Sequence, residues 1–545
     1  MLVILTPGEK QKGWLLAMAD VCISVLDILF LLALLYLLRF YTQSAPDINN
    51  KWLSATIFTS HPLLAIIIFF ILFAAKNTAG FFVAKMQYQF VYQVASRISG
   101  EMITRYLNGG YAEYVSIDSS VSNRGISQVP VEFAHYVLNG VQQVFSQCVL
   151  AAITLLAIFL LNPLLLLLLA LILAPPVILV QFLVKRKLNA AGQHTKQTSE
   201  RTLQHLQEAL LGFVESNIYG KNNFFANRYH RQQVKLNRYL SARLVIQSIP
   251  PRLMEVFAIF GLLLLVLVNA IVGNGHFIGL VTIGALMVAA YKIIPAIVKI
   301  TNMASQVKAY SFTADSLASV ASLRVKREYG EQSITTLKCS NIVFDYPGKN
   351  VFNQFNACFQ KGDFAVVSGA SGKGKTTLVH LLLGFLSPSS GAIIINNKVT
   401  DAISRQAYWT KIAYVKQQPF FLHAFIIENI SLQEDSYDIA RVEQVIAQAG
   451  LGKLVDVLPE GVNHLVTENG KNFSGGQRQR IAFARALYKD FDLLVLDEPF
   501  NELDEAAERD MLRVLQQVAA DGKIVILITH NNAAAAFGNK KILVN

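Results

Sequence analysis

The stretch "DFAVVSGASGKGKTTLVHLLLGF", Asp363 to Phe385, decides how the second half of this chain folds. An apolar run suited to a buried strand leads into a glycine-rich loop, and an apolar helix pattern follows at once. Inside it, "GASGKGKT", Gly369 to Thr376, fits G-x-x-x-x-G-K-[ST] in the strand-to-helix context that gives the motif its meaning. Glycines let backbone N–H groups wrap phosphates at a helix N-terminus, where the helix dipole favours anions. Lys375 is placed to reach the β- and γ-phosphates, and the Thr376 hydroxyl to ligate Mg²⁺. Gly369, Ser371, Gly372, Gly374 and Thr377 complete the phosphate cradle.

A second buried strand pattern, "LLVLDEP" (Leu493 to Pro499), ends in two carboxylates. Asp497 suits Mg²⁺, and Glu498 is placed to polarise an attacking water as a general base. Between these motifs lies "NFSGGQRQRIAFARAL", Asn472 to Leu487, a Ser-Gly-Gly-Gln turn before a basic amphipathic helix. It has the features of an anion site, yet it begins about a hundred residues after the P-loop.

The first half has a different composition. Of 545 residues 53% are hydrophobic and 15% charged, with mean hydropathy +0.40, and the apolar text is concentrated before residue ~305. Six runs are long enough to span a bilayer, which takes about 20 residues each. They lie near 15–41, 62–86, 138–161, 163–188, 248–272 and 277–300. The first is too long for a signal-peptide core and no small-residue cleavage site follows it. Eleven Lys or Arg lie from Lys185 to Arg243, whereas the Asn162-Pro163 and "GNGH" turns have none. The positive-inside rule then puts the N-terminus, that segment and the C-terminal half in the cytoplasm, and the chain in the cytoplasmic membrane. The net charge of +12 belongs to these flanks and does not point to nucleic acid. The four cysteines, Cys22, Cys148, Cys339 and Cys358, lack metal-ligand spacing.

Two helices outrun the membrane. Met86 to Leu107 keeps a helical pattern without proline for about 33 Å at 1.5 Å per residue. The basic segment after Val184 reads as two more extensions turning near "GFVESNIYGKNNFF". Such stalks suit mechanical coupling to a cytoplasmic partner; a separate helical domain is the alternative. Asp20 and Asp27 share a face of the first span, and Lys292 and Lys299 share a face of the sixth. Lys76, Arg252, Lys292 and Lys299 have two readings: internal salt bridges with snorkelling to the interface, or an anion-binding belt around a cavity.

Taken together, these motifs make the chain resemble an ATP-binding cassette (ABC) transporter of the exporter type over its whole length. The resemblance implies a six-helix membrane domain (1–318), a linker (319–331) and an α/β P-loop nucleotide-binding domain (332–545). It implies that Tyr346 stacks on adenine, that Gln417 contacts Mg²⁺, that Asp504 crosses between ATP sites, and that His530 meets the γ-phosphate. Ser474, Gly475, Gly476 and Gln477 match the family signature, which touches the ATP held by a partner's P-loop. One P-loop and one signature per chain therefore imply a dimer, with a second copy as the simplest partner. Departures are Phe473 for the usual Leu, Lys416 for the usual Pro, Asn501-Glu502 where small residues are commoner, and an ending at "KKILVN" without the usual tail. No peptidase-like domain precedes the first span, and the fused halves argue against importers. "PPRLMEV", "AAYKIIPAIVK" and the loop "SAPDINNKWLSATIF", which could hold a short amphipathic helix on the membrane, resemble bacterial flippases of lipid-linked oligosaccharides. That branch implies an anionic, amphipathic cargo; peptide or other lipid exporters, and an ATP-gated channel or regulator, are the alternatives.

Overall fold

In a computed structural model, residues 4–42, 62–161, 163–272, 280–321, 330, 332–346, 348–370 and 372–544 are described. The chain separates into two compact units, Met1–Leu107 with Ile117–Arg324, and Asn108–Ser116 with Val325–Asn545.

The first unit is helical. Its long helices are α1 (Pro7–Thr42), α2 (Pro62–Asn108), α4 (Asn139–Leu161), α5 (Pro163–Leu211), α7 (Asn222–Val272) and α8 (Leu280–Ala309), with the short α6 (Phe213–Ile218) at a turn; the short helix α3 (Tyr111–Ser116) belongs to the second unit. Helices α1, α2 and α5 each begin with proline, whose missing N–H costs nothing in the first turn. Helix α2 runs unbroken through Met86–Leu107, as its proline-free pattern implies. Helices α5 and α7 lie along each other, and α4 packs on α1 and α8.

Among the described residues, four helical stretches are long and apolar enough to cross a membrane: Pro7–Phe30, Ile66–Asn108, Ser119–Leu160 and Asn222–Gly261. The spans expected at 163–188 and 277–300 fall on α5 and α8, where many side chains lie outside the described residues. So do most of the linker 319–331 and the loop "SAPDINNKWLSATIF". Proline also acts inside helices: Pro251 leaves the Gln247 carbonyl without its intrahelical donor, and Asn302 of α8 donates to it at 3.3 Å. Two π-helical turns, Arg124–Gln128 and Phe133–Leu138, precede α4. Phe133 and Leu138 there join Phe90, Val94 and Leu16 in the core of this unit.

The second unit is α/β. A four-stranded antiparallel sheet has the order β2-β1-β4-β5, from β1 (Thr336–Tyr346), β2 (Lys349–Gln360), β4 (Ser390–Ile395) and β5 (Lys398–Thr400). A five-stranded parallel sheet has the order β11-β3-β10-β9-β6, from β3 (Phe364–Ser368), β6 (Ile412–Val415), β9 (Leu493–Asp497), β10 (Ile524–Ile528) and β11 (Lys540–Leu543), and a separate pair joins β7 (Ala424–Phe425) to β8 (Leu465–Val466). Strands β9 and β10 are buried throughout, which is why they read as unbroken apolar runs rather than alternating ones. The helices that matter for the site are α9 (Lys375–Leu382), α10 (Gly475–Tyr488) and α11 (Glu505–Ala520). Parallel pairing aligns the carboxyl ends of β3, β6, β9 and β10 on one edge. The P-loop, Gln417, Glu498 and His530 follow those ends directly, the place where open α/β sheets bind ligands.

Candidate nucleotide site

The P-loop leaves β3 and enters α9 through Gly372 and Gly374, both with positive φ. At Gly374, φ +98° and the closeness of Val351 leave no room for a Cβ. Lys375 is buried, and its ammonium donates to the Gly369 carbonyl at 2.9 Å and the Ala370 carbonyl at 3.4 Å. The loop thus holds its own cation on two backbone carbonyls. Ser371 lies outside the described residues.

Glu498 sits just past β9 with φ +50°, a left-handed conformation uncommon for a residue with a side chain. Its N–H is fixed by the Ile528 carbonyl at 2.9 Å. The carboxylate is nearly enclosed, and its Oε2 accepts from Gln417 Nε2 at 2.8 Å and Asn501 Nδ2 at 3.2 Å. His530 Nε2 stands 2.9 Å from the same oxygen, and Lys375 Nζ 3.7 Å from Oε1. The other ring nitrogen of His530 lies 3.3 Å from Lys375 Nζ, so it accepts, and the proton belongs on Nε2. One hydrogen-bonded group thus contains Lys375, Gln417, Glu498, Asn501 and His530.

Asp497 is buried beside it. Burial pushes its carboxyl above the usual range, Glu498 adds to the rise, and Thr376 with its hydrogen bond, then Lys375 and His530, oppose it. A hard divalent cation would reverse the rise. Thr376 and Asp497 offer the oxygen donors that fit Mg²⁺, which takes few protein ligands beside water and phosphate. Among the described residues no group of three or more His, Cys, Asp or Glu could hold a metal without phosphate's help.

The signature residues form a different local structure. Ser474 caps α10: its hydroxyl accepts from the Gln477 N–H at 3.3 Å, and the Gln477 side chain accepts from the Ser474 N–H at 2.8 Å. These two bond to each other rather than to the P-loop group. Gln479, one turn on, donates to the Gln417 carbonyl at 2.9 Å and ties the helix to the loop after β6. Asp504 caps α11 by accepting from the Ala507 N–H at 2.7 Å. Tyr346 ends β1 with its ring 42% exposed, edge-on to Phe344 at 5.0 Å, free to present a face to a base.

Comparisons with known proteins agree with this anatomy. The sequence profile of the family described as ABC transporter matches residues 352–501. An ATP-dependent lipid A-core flippase 2 of Colwellia psychrerythraea is 26% identical over 508 residues, 89% of this chain and 83% of that protein. Residues 352–501 carry the ABC transporter domain. An ATP-dependent lipid A-core flippase of Ralstonia nicotianae is 25% identical over 362 residues, 64% of this chain and 60% of that protein's length. A putative export ATP-binding/permease protein of Rickettsia bellii is 35% identical over 198 residues, 36% of this chain and 34% of that protein. The fold matches a bacterial Atm1-family ABC exporter with ATP bound, with a TM-score of 0.76 at 17% identity over 97% of this chain and 93% of that one.

Three parts of the structure were not legible as motifs. Asn501 counted only as a departure, yet it donates to the candidate base. The segment Asn108–Ser116 groups with the ATPase unit, apart from the N-terminal helices that flank it. Its Tyr111 ring lies 4.8 Å from Phe385 and 5.0 Å from His380, whose burial lowers the imidazole below its usual range, helped by Lys416. Lys76, expected in the belt, is buried and paired with Asp27. Of the two readings for Lys76, this pairing is the internal salt bridge, with its counter-ion on α1. Arg252 and Lys299 are exposed, and the Lys292 side chain lies outside the described residues.

Proposed function

We propose that this chain is an ATP-driven exporter or flippase of the cytoplasmic membrane, working as a dimer of two copies. The observation that carries the ATPase reading is the convergence of Gln417, Asn501 and His530 on one oxygen of a nearly enclosed Glu498, beside Lys375. With ATP in the P-loop, Lys375 exchanges its carbonyl partners for β- and γ-phosphate oxygens, and Tyr346 lies under the adenine. Thr376, Asp497 and Gln417 would hold Mg²⁺, which would supply charge neutralisation. Glu498 orients a water and accepts its proton as the water oxygen bonds to the γ-phosphorus and the bond to the ADP oxygen breaks. His530 donates from Nε2 to the charge gathering on the γ-phosphate.

The signature Ser474–Gln477 contributes to the ATP of the other copy, and Asp504 lies in the loop that passes between the two sites. Two similar proteins bear the name lipid A-core flippase, which supports a lipid-borne, amphipathic cargo. A cavity of about 350 Å³ lies between α7 and α8, its lining mostly apolar through Ile294, Val298 and Met303 beside the prolines. Pro251, Pro295, Lys299 and Asn302 line it, and Asn302 Oδ1 is buried there without a partner. An anionic head group entering this cavity finds a cation in Lys299, with Arg252 and Lys292 on the same two helices. The test is ATP-dependent movement of an anionic lipid-linked glycan between leaflets of proteoliposomes holding the purified chain. Movement that is equal with and without ATP would remove the reading.

A further inference from the structure

Glu502 is one of the few departures from the family pattern, and it places a carboxylate against the signature. It lies in the turn between β9 and α11 and leans on the N-terminus of α10. A Cβ added to Gly475 would overlap the Glu502 carboxylate, and one added to Gly476 would come within 2.9 Å of the Glu502 carbonyl oxygen. Arg478, one turn into α10, holds the same carboxylate with Nη2 3.5 Å from Oε2. That guanidinium is itself aimed by donating Nη1 to the Phe473 carbonyl at 3.0 Å. The glycines here therefore leave space that an internal anion uses.

We propose that Glu502 is a built-in competitor for the signature. In the free chain its carboxylate lies where the terminal phosphate of the partner copy's ATP must arrive, and it has to leave before the dimer closes. This rests on the dimeric ATP-site reading above. Two anions cannot share the end of one helix, because the dipole and the exposed N–H groups that favour the first favour the second only once the first has gone. The Glu502 side chain is half exposed, so its hold is weakened by solvent and it can swing out. Glu502 thus raises the ATP concentration needed for closure without touching the base or the P-loop. It keeps the two ATPase units apart when ATP is scarce.

The test separates closure from turnover. In the full chain carrying Glu498→Gln, closure is followed by ATP-dependent cross-linking between single cysteines placed beside the P-loop and the signature. Glu502→Gln, which keeps the shape and removes the charge, lowers the ATP midpoint about two- to five-fold, the usual worth of one charge at a helix N-terminus. The gap between parent and E502Q narrows as salt is raised, because the competing charge is exposed. Glu502→Ala gives the same direction. An unchanged midpoint in E502Q, or a fall in E502A alone, overturns the proposal and leaves the dimer reading standing. A parent that shows no ATP-dependent cross-linking overturns both.

Discussion

Glu498→Gln is the most searching change at the ATP site, because it alters charge and proton affinity with little change of shape. A glutamine oxygen can still accept from Gln417 Nε2 and His530 Nε2, which now lie 2.8 Å and 2.9 Å from the carboxylate, so the pocket keeps its form. Lost is the group that takes a proton from water. Removing a general base slows the chemical step about 10²–10⁴-fold, or roughly 3–5 kcal/mol of barrier. Binding moves the other way. Lys375 Nζ is 3.7 Å from Glu498 Oε1, a gross attraction of ~4 kcal/mol at an effective dielectric of about 20. Desolvation offsets most of that, but its removal frees Lys375 for phosphate. We therefore expect ATP affinity at or above the parent's, with turnover nearly abolished. Phosphate release and nucleotide binding by the purified chain in lipid nanodiscs measure both. Turnover within ten-fold of the parent would falsify the assignment of Glu498 as base.

Three further outcomes follow. Chains with Lys375→Ala and with Ser474→Arg are each inactive alone, but mixing them restores up to about a quarter of parent hydrolysis, since half of randomly paired C₂ dimers carry one intact composite site; no recovery together with ATP-dependent cross-links confined to single chains refutes the trans signature. Asp497→Asn abolishes Mg²⁺-dependent hydrolysis yet raises the melting temperature of the nucleotide-free chain at pH 7. The sign follows from the raised carboxyl of Asp497: a folded-state pKa above the unfolded value makes stability fall as pH rises from the unfolded value through the folded one, and asparagine removes that loss. A lower melting temperature at pH 7 counts against it. Neutralising Lys292 and Lys299 together as Gln abolishes transport of an anionic lipid-linked substrate while basal hydrolysis persists, and parent-rate flipping by the folded double variant removes the case for an anionic cargo.

The ATP site was readable in the sequence because its chemistry is local. Each motif follows one strand of a parallel sheet, and that sheet aligns the strand ends whatever the loops between them contain. A continuous apolar run ending in Asp-Glu could mean little else once a P-loop followed another such run. The membrane half was legible only as lengths of helix. Hydropathy fixes where a span starts but not which neighbour meets it, so the Lys76 partner had to come from the packing of α1 beside α2, 49 positions away. Asp20 likewise takes a hydrogen bond from Ser146 on α4. Both aspartates are answered by other helices, and one face of a single helix could not reveal that.

Residues 108–116 carry the same lesson into the ATPase half. A helix pattern running to Leu107 announces a stalk, but the surroundings of its tip depend on contacts with residues far later in the chain, His380 and Phe385. Tyr111 lies against His380 and Phe385, the first on α9 itself and the second just beyond it. Helix α9 begins at Lys375, so the ring that docks the loop and the cation that receives phosphate share one short rigid element of 8 residues. A rise of about 1.5 Å per residue puts His380 less than two turns from Lys375. His380 thus joins the Tyr111 ring to the helix that opens at Lys375 through packed side chains. Lys416, which stands where the family favours proline, adds its charge to the same locality by acting on His380. The unusual residue and the unannounced contact thus meet near the end of the P-loop helix, at a place that no motif marks.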